Sequence, residues 1–91
     1  MLYLVSYDLT NPGRDYPRIS NRLLALGAAK ILLSQWFVVS NSREVELTND
    51  LRQYVDNTDR ILVAEITQRS AWVNLIVPTE TAKLWFRHAR P

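Results

Sequence analysis

The chain has 91 residues, 47% of them hydrophobic and 22% charged, which suits one small globular domain. It has no cysteine and one histidine, His88. That excludes disulfides, thiol catalysis, cysteine-ligated zinc and a histidine-rich metal centre. The net charge is only +2, but nine of the eleven basic residues are arginine, the side chain suited to planar, bidentate contact with phosphate or carboxylate.

The first element is read over residues 2–8. Leu2, Leu4 and Ser6 alternate with Tyr3, Val5 and Tyr7, and both sets are mostly apolar. This is the pattern of a central strand covered on both faces. Asp8 stands at its end. Asn11-Pro12-Gly13 reads as a turn. Asp15 is placed to cap a helix running to about Leu26, with Pro17 in the first turn and Tyr16, Ile19, Leu23 and Leu26 on one buried stripe. Gly27 is a natural helix stop. Arg14, Arg18 and Arg22 fall four apart; the last two share the outer helical face and the first lies just before it.

Residues 28–40 hold two apolar runs divided near Ser34-Gln35. They read as two tightly joined antiparallel strands, with a single long bent strand as the alternative. Asn41 or Ser42 is placed to cap a second helix reaching about Val55. Leu47, Leu51, Tyr54 and Val55 form its buried stripe, and Glu44 and Glu46 lie in the first turn, where the helix dipole favours negative charge. Asp56-Asn57-Thr58-Asp59 is a polar turn, and residues 61–66 read as the last core strand. Residues 1–66 therefore spell βαββαβ, an α+β chain for which right-handed crossovers give a ferredoxin-like sandwich with both helices on one face. The opposite apolar face is expected to be covered by a second copy related by a twofold axis. Residues 67–91 form a C-terminal strand and helix extension. Within it residues 71–77 are suited to an edge strand, and a short helix after Pro78 carries Leu84, Trp85 and Phe86. The extension is expected to dock onto the dimer or a protein partner, or to pack on its own chain. No apolar run reaches the ~20 residues that a membrane span requires, and the first eight residues carry no basic leader, so a cytoplasmic protein is expected.

Tyr7-Asp8 at a strand end, an arginine-bearing helix, Leu26-Gly27-Ala28, Leu33-Ser34-Gln35-Trp36-Phe37-Val38-Val39 and Asp59-Arg60-Ile61-Leu62-Val63 follow one another in an order that resembles the CRISPR-associated protein two superfamily. The match is especially similar to its stand-alone SinR-like members and spans about residues 2–66. The resemblance implies a ferredoxin-fold homodimer with facing sheets, in which two copies of Asp8 near the axis share a magnesium ion. Members resemble metal-dependent endonucleases or subunits that hold duplex DNA during spacer acquisition, and fold relatives include interferase toxins. Tyr7 and Asp8 match the family's strand-end pair, and Ser34 and Trp36 its Ser-x-Phe. Here tryptophan replaces the phenylalanine, Val38-Val39 replaces the usual Glu-Gly, and the basic cluster is thinned to three spaced arginines.

Asp8 is accordingly the candidate catalytic and metal-binding residue: a hard oxygen ligand at a strand end suits Mg²⁺, which is usually held by one or two carboxylates with water and phosphate. Arg14, Arg18 and Arg22, with Lys30, are candidates for a phosphate track on DNA or RNA. Tyr7 and Trp36 are candidates for base stacking. Three functions remain open: a metal-dependent nuclease, a non-catalytic nucleic-acid-binding dimer, and a protein-interaction module acting through residues 67–91.

Overall fold

A computed structural model describes residues 1–10 and 16–91. The proposed turn at Asn11-Pro12-Gly13, Arg14, the Asp15 cap and the side chain of Tyr16 lie outside the described residues. In chain order come β1 (Leu2–Asp8), α1 (Tyr16–Ala25), β2 (Ala29–Leu32), β3 (Gln35–Val39), α2 (Glu44–Leu51), a 3₁₀ turn (Arg52–Tyr54), β4 (Arg60–Glu65) and α3 (Thr79–Phe86). The four strands form one antiparallel sheet in the order β2-β3-β1-β4. The chain is thus a small α+β protein.

The two-residue alternation of β1 divides the interior. Tyr3, Val5 and Tyr7 face α1 and α2 and pack with Trp36 and Val38 of β3, Ile19 and Leu23 of α1, and Leu47 and Leu51 of α2. Burying each such aliphatic side chain stabilises the fold by about 1.5–3 kcal/mol before entropy is counted. Tyr3 takes its hydroxyl into this layer because the group finds an acceptor, the Ser42 carbonyl at 2.6 Å. Burial also pushes the Tyr3 phenol above its ordinary pKa.

Helix α1 ends as its glycine requires. Gly27 adopts φ +77°, its N–H donates to Leu24 O, and Ala28 N–H donates to Leu23 O, both at 3.0 Å. This is the paired closure of a Schellman motif, with Ala28 and Leu23 in the same core. The β2–β3 junction is a two-residue hairpin loop, Leu33-Ser34. Neither residue has positive φ, so the loop is not one of the primed turns that suit strand twist, and a register irregularity between Lys30 and Leu32 accompanies it. Helix α2 starts after Arg43, later than Asn41 or Ser42, with Glu46 Oε1 accepting from the Arg43 N–H at 3.1 Å.

The second face differs from the sequence expectation. Leu2, Ile31 and Phe37 are covered by the chain's own extension, through Ala82 and Ala89 and the partly buried Trp72, Leu75, Val77, Trp85 and Phe86. Phe37 meets Phe86 edge-on at 5.6 Å, and Phe86 stacks on Trp72 at 5.0 Å. Residues 71–77 form no strand: Asn74 takes φ 55°, which breaks extended geometry, and Ile76 N–H makes a single 2.8 Å bond to Ile31 O on the β2 edge. The end of the extension is fastened by Arg90, which pairs with Glu65 and bridges to Thr67.

Candidate functional site

The extension covers the sheet only in part. At the other end, the C-terminal end of β1 lies beside the N-terminal end of β4, with Ser6 opposite Leu62 and Asp8 opposite Arg60. Directly opposed residues of antiparallel strands share a face, so these four side chains form one patch. It floors a shallow depression of about 190 Å³. The side chains of Asp8 and Arg60 are 69% and 76% exposed, and Arg60 Nη1 donates to Asp8 Oδ2 at 2.9 Å. Leu62 is 59% exposed, and Leu33, in the turn whose Ser34 carbonyl accepts from the Tyr7 N–H, is 81% exposed.

The patch is held from behind by Asp59. Its Oδ1 accepts from the Thr10 N–H at 2.8 Å and from the Thr10 hydroxyl at 3.0 Å, while Oδ2 accepts from the Asp56 N–H at 2.7 Å. The segment leaving β1 is thereby tied to the turn entering β4, one residue from Arg60. The two backbone donors, Thr10 first and then Asp56, hold the Asp59 carboxyl below its ordinary pKa.

The remaining sequence candidates are placed elsewhere. Tyr7 and Trp36 lie inside the helix-side core, 5% and 3% exposed, with Trp36 Nε1 donating to Tyr7 Oη at 3.2 Å. From there neither ring presents a face to a base. Arg22 makes a two-pronged pair with Asp50, at 2.9 and 2.6 Å, and sits over the Tyr54 ring. Arg18 donates to the Gln53 carbonyl at 2.9 Å. Both therefore fasten α1 to α2 and the turn after it; Arg18 keeps the exposed position the sequence reading gave it, whereas Arg22 is half-buried against Asp50 and Tyr54. Lys30 is exposed on edge strand β2, Ser34 is half-buried in the hairpin loop, and His88 is exposed beyond α3.

Sequence reasoning had not singled out Arg60 or Asp59 for this site. The Asp-Arg pair entering the last strand was the available signal, but its partners follow from the β1–β4 register. For a cation, one chain offers one outward carboxylate, already shared with Arg60. Among the described residues no three acidic or histidine side chains are grouped to hold a metal ion. The donor set of one chain thus fits half of a two-carboxylate magnesium site. No helix is long and apolar enough to cross a membrane among the described residues. No protein-family model matches the chain, and no curated protein matches it.

Proposed function

We propose that this chain is a ferredoxin-like sandwich that works as a homodimer on nucleic acid, and that its reaction is metal-dependent hydrolysis of a phosphodiester. The strand order, read as β4-β1-β3-β2 with a helix after β1 and after β3, supports the ferredoxin-like arrangement. The observation that carries the functional reading is Asp8: a carboxylate aimed outward from the open end of the sheet, beside the exposed Leu62 and next to the hairpin turn that carries the exposed Leu33. A twofold axis set beside Leu62 and Leu33 covers both leucines and brings the two Asp8 carboxylates toward each other, while each Arg60 stays at the open rim of the patch.

Two Asp8 carboxylates brought together in this way would hold one magnesium ion. The ion, when bound, supplies a water of lowered pKa and offsets charge on the phosphate. The chain's own contribution is to fix the carboxylates through the Asp59 clasp. Hydrolysis adds water across one P–O bond and yields a phosphate monoester and a hydroxyl.

The test is cleavage of labelled RNA and labelled duplex DNA with and without Mg²⁺, alongside light scattering. Asp8→Asn is expected to lower cleavage by roughly 100-fold or more, the loss of about 3 kcal/mol of transition-state stabilisation, while the dimer persists. Magnesium-independent cleavage, cleavage unchanged in Asp8→Asn, or a wild-type monomer would overturn the proposal.

One observation favours a second reading, a protein-interaction module. Val73, Ile76 and Leu84 are all exposed on the extension. Removing residues 67–91 is a poor test, because it would bare Leu2, Ile31 and Phe37. Val73→Ser with Ile76→Ser keeps the fold, and loss of a partner with cleavage intact would favour this reading.

A further inference from the structure

The arginines with described contacts differ in what they leave available. In a half-buried setting over the Tyr54 ring, Arg22 uses both prongs of its guanidinium on Asp50. Arg90 does the same with Glu65. Arg60 uses one nitrogen, Nη1, on one oxygen of Asp8, at 2.9 Å and with most of its side chain in solvent. Its guanidinium therefore keeps a face and several N–H donors for a planar, bidentate acceptor. It also stands in the depression lined by Ser6, Asp8 and Leu62.

The Asp8–Arg60 pair does little for the fold. Exposed single-contact ion pairs add little to stability, because solvent screens them and two side chains lose freedom. The β1–β4 ladder carries the two residues into register without it. A pair that is placed by the backbone, weak, and open to solvent exchanges readily for another partner. The partner that outcompetes one carboxylate oxygen for an arginine fork is a phosphate, which offers two oxygens and more charge.

We propose that Arg60 is the phosphate-gripping side chain of this patch, restrained at rest by Asp8 and transferred to a backbone phosphate when a polynucleotide binds. The inference rests on the reading that nucleic acid is the ligand, and not on whether cleavage follows. Asp8 then has two tasks in one place: it keeps Arg60 aimed into the depression, and on release its carboxylate is free for a cation.

The experiment is a thermodynamic cycle in EDTA, so that no metal takes part. Affinity of the full-length protein for a labelled single-stranded RNA and a labelled DNA duplex is followed by fluorescence anisotropy across a salt series, for wild type, Arg60→Gln, Asp8→Asn and the double variant. Arg60→Gln is expected to weaken binding about 3–10-fold and to lower the slope of log K against log salt by about 0.7–0.9 per chain. Asp8→Asn is expected to strengthen binding by about 2–5-fold by freeing the arginine, and that gain should vanish in the Arg60→Gln background. Arg60→Lys should restore the salt slope but not the full affinity, since a point charge lacks the fork. Wild-type affinity in Arg60→Gln, or a gain from Asp8→Asn that persists without Arg60, would overturn the inference while leaving the nuclease reading intact. Absence of any polynucleotide binding by the wild type would overturn both. Absence of magnesium-dependent cleavage with the cycle as expected would overturn only the nuclease reading.

Discussion

The same residue type takes two different roles in this small protein, and position decides which. Arg18 and Arg22 lie on a helix face that packs near α2, so their guanidinium groups meet a carbonyl and a carboxylate. Arg60 lies at the open end of the sheet and meets one exposed carboxylate. Asp59 and Asp8 divide in the same way. Asp59 accepts backbone N–H groups from both sides of the strand ends and serves as a clasp, whereas Asp8 faces out. The consequence for pH follows from sign. The folded-state pKa of Asp59 is lowered by the Thr10 and Asp56 amides, so its stabilisation is present above the unfolded carboxylate pKa, about 3.9, and is lost as pH falls through the lower folded value. Glu65, lowered chiefly by its bond from Arg90, acts in the same direction. Thermal unfolding followed between about pH 5 and pH 2 should therefore show a falling Tm, and Asp59→Asn should flatten that acid limb while lowering Tm at neutral pH. An acid limb unchanged in Asp59→Asn would show that the clasp adds no linkage.

At the scale of elements, the alternation in β1, the stripe in α1 and the stop at Gly27 were legible because each depends on residues near in sequence. The stop can be tested by itself. A Cβ at Gly27 would meet nothing within 4 Å, so Gly27→Ala adds no clash and isolates the cost of φ +77°. That cost is about 1–2 kcal/mol, which should lower Tm by roughly 4–8 °C per kcal/mol for a domain of this size. Gly27→Asn should cost less, since asparagine tolerates the left-handed region. Arg60 was not legible in the same way. It is a charged residue before an apolar run until the antiparallel register sets it opposite Asp8, 52 positions earlier. Tyr7 and Trp36 show the reverse limit: aromatic residues suit stacking on bases and packing in cores alike, and only their mutual hydrogen bond and burial reveal the second use.

For the molecule as a whole, the cover of the second sheet face was the least legible feature. Residues 71–77 read as an edge strand but form none, because Asn74 breaks the extended backbone, so their spacing did not say where the segment lies. What joins them to the fold is composition: Trp72 stacks on Phe86, which with Trp85 of the same helix meets Phe37. β1 and β3 each send alternate residues into both layers, Tyr3 and Trp36 to one and Leu2 and Phe37 to the other. The layers therefore share their backbone, and loosening one weakens the strands that build the other. Phe37→Ala should cost about 3–5 kcal/mol through lost transfer energy and the cavity left behind, a large fraction of the 5–15 kcal/mol typical of a whole domain. Because the strands are shared, the loss should appear as one earlier urea transition, coincident by far-ultraviolet circular dichroism and by tryptophan fluorescence, which reports Trp36 in one layer and Trp72 and Trp85 in the other. Two separated transitions would mean that the extension detaches from a sheet able to stand without it, and that the second face becomes available to another chain.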